Sequence, residues 1–166
     1  VLSAKIKSLA EMVAIRNQLR RSGKKVVFTN GVFDLLHRGH VEYLEKARSM
    51  GDVLILGLNS DASVKLVKGS WKPLVNQEDR AVVLAGLSSV DYVCFFDEEI
   101  PFVIISALVP DILVKGGDYL LDEIVGRDVV ESSGGKVVTI PLTPGISTTE
   151  VVERIAKLIR EGKIVA

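Results

Sequence analysis

Short β-branched apolar runs alternate along this chain with longer stretches whose apolar residues recur every three or four positions, the pattern of strands separated by amphipathic helices. The runs predict strands at Lys25–Thr29, Val53–Leu58, Tyr92–Phe95, Ile112–Lys115 and Lys136–Ile140. Helical spacing predicts helices over residues 40–49, 77–88, 100–107, 121–133 and 147–161. Ahead of the first strand, Ile6, Leu9, Met12, Val13, Arg16 and Leu19 fall near one stripe and Gly23 ends the pattern. A helix is therefore expected over 4–21, within a helical extension 1–23 that precedes a body at 24–166. Strand–helix alternation implies a parallel sheet, and right-handed crossovers put helices on both of its faces. The expected fold is α/β, a doubly wound parallel five-stranded sheet with ligand sites outside the carboxyl ends of its strands.

The least regular stretch is Val67–Asn76, where Gly69, Ser70 and Pro73 break periodicity and Lys65, Lys68 and Lys72 sit on or beside the break. A mobile basic lid over phosphates and a plain solvated loop both fit that composition. The 166 residues are enough for one substantial core, and the hydrophobic fraction of 48% suits a globular chain. Lys+Arg and Asp+Glu both total 21, so no global basic field recruits nucleic acid and any anion must be held by local clusters. Cys94, the one cysteine, allows no internal disulfide, and its neighbours Val93, Phe95 and Phe96 read it as a buried structural thiol. No apolar run reaches the roughly 18 residues of a membrane span. Residues 1–22 carry lysines, arginines and a glutamate in place of a signal-peptide core. A soluble, cytoplasmic protein with neither membrane nor nucleic acid as partner is the expectation.

The candidate chemistry sits in Asn30–His40, which carries the chain from the first strand of the body into its first helix. His37 and His40, the only histidines, flank Gly39. If His40 opens the helix, both imidazoles lie near its N-terminus, where free backbone N–H groups and the positive end of the dipole attract an anion. Gly39 lets backbone approach a ligand with no Cβ in the way. Two other readings fit the same residues: a pair of helix caps satisfied by backbone, and a metal site made of Asp34, His37 and His40. Against the metal stand the lack of a third histidine and of a cysteine cluster. Late in the chain Ser147-Thr148-Thr149-Glu150 matches S-x-x-E, a capping box that opens the last helix and leaves an N-terminus able to hold phosphates. GxxxxGK[ST] is absent, as is GxGxxG after the first strand, which argues against a P-loop kinase and a common dehydrogenase.

Gly31-Val32-Phe33-Asp34, His37-Arg38-Gly39-His40 and Gly145-Ile146-Ser147-Thr148-Thr149 occur in this order across residues 24–160, and together they resemble the HxGH/ISTT nucleotidylyltransferase superfamily. Asn59-Ser60-Asp61, Val67-Lys68-Gly69 leading to Pro73, and Val114-Lys115-Gly116-Gly117-Asp118-Tyr119 resemble more narrowly the adenylyltransferase domain of ADP-heptose synthases. The resemblance implies a Rossmann-like fold, with 24–166 as a nucleotidylyltransferase domain. It implies transfer of AMP from ATP to D-glycero-D-manno-heptose 1-phosphate, giving ADP-heptose and pyrophosphate for lipopolysaccharide core biosynthesis. Such a reaction needs no covalent nucleophile, only donors aimed at charge developing on the α-phosphate and on departing pyrophosphate. The alternatives are a cytidylyltransferase acting on glycerol 3-phosphate or a related alcohol phosphate, and a non-catalytic nucleotide-binding module. The module reading predicts loss of a reactive motif, and none is lost.

Carried over residue by residue, the resemblance makes His37, His40 and Lys68 catalytic. Val32, Phe33, Gly39, Lys115, Gly117, Asp118, Ser147, Thr148 and Thr149 are then nucleotide-binding, and Asp34, Asn59, Asp61, Lys72 and Arg80 substrate-binding. Structural roles stay open beside these: a tight turn for Lys115–Asp118, helix capping for Asn59 and Asp61, pairing with Glu78 or Asp79 for Arg80. Asp91, Asp97, Glu98 and Glu99 read as a solvated acidic face. Many relatives carry an arginine shortly before the ISTT motif where this chain has Leu142-Thr143-Pro144-Gly145. Lys68 or Lys72 is expected to supply that charge. Mg²⁺ is expected on the phosphates of ATP and not in a dedicated protein site. Relatives often pair, so a homodimer is expected, with the N-terminal apolar stripe as its candidate surface. Only residues 1–24 precede the first strand, so a sugar kinase supplying the 1-phosphate is expected as a separate chain.

Overall fold

In the computed structural model, which describes residues 1–117 and 119–165, the apolar runs become a parallel sheet. Its strands are β1 (Ile6–Lys7), β2 (Val26–Gly31), β3 (Val53–Asn59), β4 (Tyr92–Phe96), β5 (Ile112–Gly116) and β6 (Lys136–Ile140), in the order β1-β4-β3-β2-β5-β6. Helices α1 (Leu9–Arg21), α2 (Arg38–Arg48), α3 (Asp61–Lys68), α4 (Gln77–Ala85), α5 (Phe102–Leu108), α6 (Arg127–Ser132) and α7 (Thr148–Arg160) connect and follow them. The doubly wound α/β class is as expected, and Asp118 lies outside the described residues.

Central strands are apolar on both faces because helices cover both. Val27, Leu54, Leu56, Leu58, Val93 and Val114 pack under α2 and α4 through Leu44, Ala47, Ala81 and Leu84. On the opposite face Val26, Phe28, Ile55, Cys94 and Leu113 meet Met12 of α1, Ile104, Ile105 and Leu108 of α5, and Val130 of α6. Burial pushes the Cys94 thiol up to about 11, so it is the inert core residue its neighbours suggested. α7 belongs to neither cluster.

Four elements differ from expectation, the first being α3, eight residues at Asp61–Lys68 where no helix was expected. The sheet has six strands, not five, because Ile6 and Lys7 pair with Val93 and Cys94 at the edge; two residues are too few to show a period. The helix expected over 4–21 consequently starts at Leu9, after Ser8 and Glu11 form a capping box. The helix expected over 121–133 is a 3₁₀ turn at Leu121–Glu123 followed by α6, broken at Gly126. That glycine has φ +85°, and a Cβ on it would stand 2.6 Å from Ile105 Cγ2. Arg16, placed by its spacing on the apolar stripe of α1, is indeed buried. Its Nε and Nη2 donate to the carbonyls of Leu108 and Val109 at 3.1 and 3.0 Å, closing the end of α5, and Nη2 pairs with Asp111 at 3.1 Å. Asp91 leaves the acidic face it was grouped with: its carboxylate accepts the Leu54 N–H at 2.8 Å and pairs with Arg48 at 2.8 Å.

Candidate active site

Strand order reverses between β2, which continues to β3 and β4, and β5, which continues to β6. Crossovers leave in opposite directions at that point, so the carboxyl ends of β2 and β5 open onto a cleft not roofed by a connection. Its smaller lobe, about 310 Å³, lies between the His37–Tyr43 segment and Leu142–Thr148. The larger lobe, about 630 Å³, runs past Lys68, Lys72 and Lys115 to Thr149. Asn30, Phe33, His40, Gly116 and Thr148 line both, so the two are one site.

His37 is the N-cap of α2 but makes no side-chain capping bond, and its ring stacks on His40 with centroids 3.8 Å apart. Phe33, held at φ 48°, tilts against His40 at 5.2 Å. Gly39 permits the pair, since a Cβ there would press on the His37 ring at 3.1 Å. Burial, reinforced by the neighbouring His37, lowers His40 to about 4; burial also lowers His37 against the opposing charge of Glu150. Both rings are therefore neutral N–H donors at neutral pH. Nδ1 of each is buried without a hydrogen-bond partner among the described residues. The capping reading fails on this point, because the imidazoles are not spent on backbone.

Across the small lobe stands the start of α7. Ser147 Oγ accepts the Glu150 N–H at 3.1 Å, and Thr148 Oγ1 donates to the Leu35 carbonyl at 3.2 Å. Two helix N-termini thus face one cavity, each with its positive dipole end toward it. Thr149 lines the larger lobe, and Val32 lines both.

Cations on the larger lobe are not equivalent. Lys72 Nζ pairs with Asp34 at 3.0 Å, and Asp34 also accepts the N–H groups of Leu74 and Val75. Burial opposes the charge on Asp34, yet these donors hold its pKa below the usual carboxylate range. Asp34 and Lys72, expected to touch substrate, bind each other in this structure, and together with the Leu74 and Val75 N–H groups they tie residues 72–75 of the loop after α3 to the segment following β2. Lys68, in the last turn of α3, is exposed and borders the lobe. Lys115 Nζ donates to Asn30 Oδ1 at 2.6 Å, a neutral partner, and burial lowers it to about 8.

Arg80, expected to take a substrate phosphate or to pair within its helix, makes no ion pair within α4 among the described residues. It is 2% exposed and donates to the carbonyls of Val75, Val32 and Asn59 and to Asp61 at 2.7–2.9 Å. Its charge is consumed in clamping the β2 and β3 ends to α4. Asp61 is correspondingly a clamp partner, and Ser60, not Asn59 or Asp61, caps α3. Asn59 lines the larger lobe while its amide donates to Ser63 at 2.9 Å. Gly117 has φ +111° and donates its N–H to Ile140 at 2.9 Å, a turn role. Asn30, Tyr43 and Thr143 were missed. Tyr43 shares a 2.6 Å hydrogen bond with Thr29, and burial raises it to about 12; no short-range pattern marks it, since its partner lies on a strand.

No cluster of three His, Cys, Asp or Glu side chains suited to a metal occurs among the described residues. Nor is any helix among them long and apolar enough to cross a membrane.

A family model described as cytidylyltransferase-like matches residues 28–154. The bifunctional protein HldE of Geobacter sulfurreducens is 54% identical over 158 residues, covering 95% of this chain and 32% of that protein. Its counterpart from Syntrophotalea carbinolica is 57% identical over 143 residues, covering 86% and 29%. The chain thus spans about a third of the length of these relatives. Among solved structures, a lipopolysaccharide core biosynthesis protein from Thermoplasma volcanium superposes with a TM-score of 0.61 at 26% identity, over 75% of this chain and 100% of that one. A pantoate–β-alanine ligase from Francisella tularensis, 15% identical with a TM-score of 0.62 over 93% and 78%, shares the fold.

Proposed function

Because the chain belongs to the cytidylyltransferase-like family, we propose that it is a nucleotidylyltransferase that transfers AMP from ATP to D-glycero-D-manno-heptose 1-phosphate, releasing pyrophosphate. The observation that carries this reading is the stacked pair His37 and His40 facing the capped N-terminus of α7 across one cleft at the sheet's switch point. The narrower choice of ATP and a heptose rests on the likeness of Lys115–Tyr119 and Val67–Pro73 to ADP-heptose synthases, and on the HldE relatives.

The triphosphate lies between the two helix N-termini, its charge met by dipoles and backbone N–H groups. Neutral His37 and His40 donate to the α-phosphate oxygens and to the bridging oxygen that leaves with pyrophosphate, where charge grows in the transition state. Ser147, Thr148 and Thr149 hold the leaving group. The acceptor's phosphate oxygen approaches in line from the larger lobe, where Lys68 and Lys115 orient it. No protein nucleophile intervenes, so the chemistry is positioning and charge stabilisation. Asp34 is saturated by its own donors, so a magnesium ion fits here as cargo of the nucleotide, where it would neutralise phosphate charge. The setting is cytoplasmic, and the sugar 1-phosphate comes from a kinase reaction.

Purified protein offered ATP or CTP with heptose 1-phosphate or glycerol 3-phosphate, with pyrophosphate release as the readout, tests this. ATP with heptose 1-phosphate should turn over best. A base mismatched to the backbone groups beside Lys115 leaves donors unpaired, which costs roughly 1–3 kcal/mol per group. Preference for CTP and glycerol 3-phosphate would reject the heptose reading, and no turnover with any pair would reject nucleotidyl transfer.

A further inference from the structure

Two half-buried lysines line the larger lobe, and the fold holds them by acceptors of different charge. Lys72 Nζ lies 3.0 Å from the Asp34 carboxylate, which cancels it. Lys115 Nζ donates to Asn30 Oδ1 at 2.6 Å and pairs with no carboxylate among the described residues. An amide oxygen orients an ammonium much as a carboxylate does, but leaves its charge whole. The arrangement comes from strand register. β2 and β5 pair at Val27 with Ile112 and at Phe28 with Leu113, and two residues on the same register sets Asn30 opposite Lys115, on the sheet face of Phe28 and Leu113. Beyond Phe28 the backbone ladder ends as the strands part at the switch point. Side chains take over there: Thr29 Oγ1 donates to the Val114 carbonyl at 3.0 Å, and Lys115 reaches back to Asn30.

Setting a cation against a neutral partner away from bulk water is costly, and burial lowers Lys115 to about 8. Asn30→Asp would keep the shape of the side chain and offset that cost by pairing, as Asp34 does for Lys72. A chain that forgoes the pairing holds a positive charge in reserve, and groups that break a local rule of stability mark sites of function. Asn30 lines both lobes whereas Lys115 lines only the larger, so the reserved charge faces the acceptor side of the wall that Asn30 forms. We propose that Asn30 is a positioning residue: its amide oxygen fixes the Lys115 ammonium in the larger lobe without neutralising it, leaving the charge for the phosphate of the acceptor. That the anion is an acceptor phosphate rests on the nucleotidyl-transfer reading; that Asn30 acts through Lys115 does not.

The test is a double-mutant cycle read as KM for heptose 1-phosphate with ATP and as the calorimetric dissociation constant of inorganic phosphate, with all variants checked for unchanged far-ultraviolet circular dichroism. Lys115→Met removes the charge and should raise both constants about tenfold or more. Asn30→Ala keeps the charge but frees the ammonium, and should raise both about threefold to fivefold. Combined, the two substitutions should be no worse than Lys115→Met alone, because Asn30 then has nothing left to position. Asn30→Asp, which gives the lysine a counter-charge, should raise both about tenfold. Effects that multiply in the combined variant would make Asn30 a structural residue or an independent contact and overturn the proposal. Phosphate binding by Asn30→Asp as tight as that of wild type, or a wild type that neither turns over nor binds phosphate, would overturn it as well. Absence of turnover beside phosphate binding that keeps the coupling would reject nucleotidyl transfer and leave Asn30 its role, whereas turnover with multiplying effects would do the reverse.

Discussion

Two helix N-termini meet across the cleft, and they are made in opposite ways. α2 starts without a side-chain cap and is held from behind by Leu44 and Ala47, both fully buried. α7 starts with Ser147 accepting the Glu150 N–H, carries Glu150 in its first turn, and has no fully buried residue. The first is a helix because the sheet needs it there; the second is a helix by local chemistry and borrows little from the fold. The difference separates chemistry from binding. Because packing fixes α2, its first residues need not cap it, and His37 and His40 stay unbonded for a ligand. Because α7 is fixed only locally, its hydroxyls are spent partly on itself.

The largest effect should follow from breaking the α2 side chemically. His40→Ala should lower turnover about 100-fold or more at unchanged far-ultraviolet circular dichroism, since one donor aimed at developing charge supplies about 2.7–4 kcal/mol. Near-normal pyrophosphate release would remove the histidines from the mechanism.

Breaking each helix by its packing should sharpen the contrast. Leu44→Ala leaves a cavity in a closed core and should cost about 2–5 kcal/mol in urea denaturation. Ile155→Ala should stay within about 0.5 kcal/mol of wild type. Equal losses would mean that α7 is anchored after all.

The smallest effect is a pH dependence confined to the α2 side. Unfolded, His40 takes its proton near 6.5; folded, burial delays this to about 4. Between those values the unfolded chain binds more protons, so the contribution is complete above pH 6.5 and is lost as pH falls toward 4. Urea midpoints should fall from pH 7 to pH 5, and less steeply in His40→Ala. Parallel slopes in the two proteins would assign the loss to other groups, with Asp34, whose pKa is also lowered, titrating in a more acidic window.

Much of this was legible in the chain. Five of the six strands stand within a residue or two of their apolar runs, because a strand buried on both faces must be apolar throughout. The histidine segment and the Ser147 cap were equally readable, as both are local arrangements at helix starts, although only the Ser147 half of the expected capping box forms. β1 and α3 were not, since two strand residues and a short helix carry too little period.

Residue types and spacing determined the α/β class, the histidine pair at a helix start and the self-capped α7, since each depends on neighbours within a turn or a strand. The tertiary structure alone decided which charges are free. Arg80 and Lys115 look alike in sequence as cations near motif residues, yet Arg80 is spent on three carbonyls and Asp61, while Lys115 rests on neutral Asn30. Asp34 and Lys72, expected to hold substrate, neutralise each other from positions far apart in the chain. A charge is committed by whatever lies within about 4 Å of it, and for these residues those neighbours come from other elements of the fold.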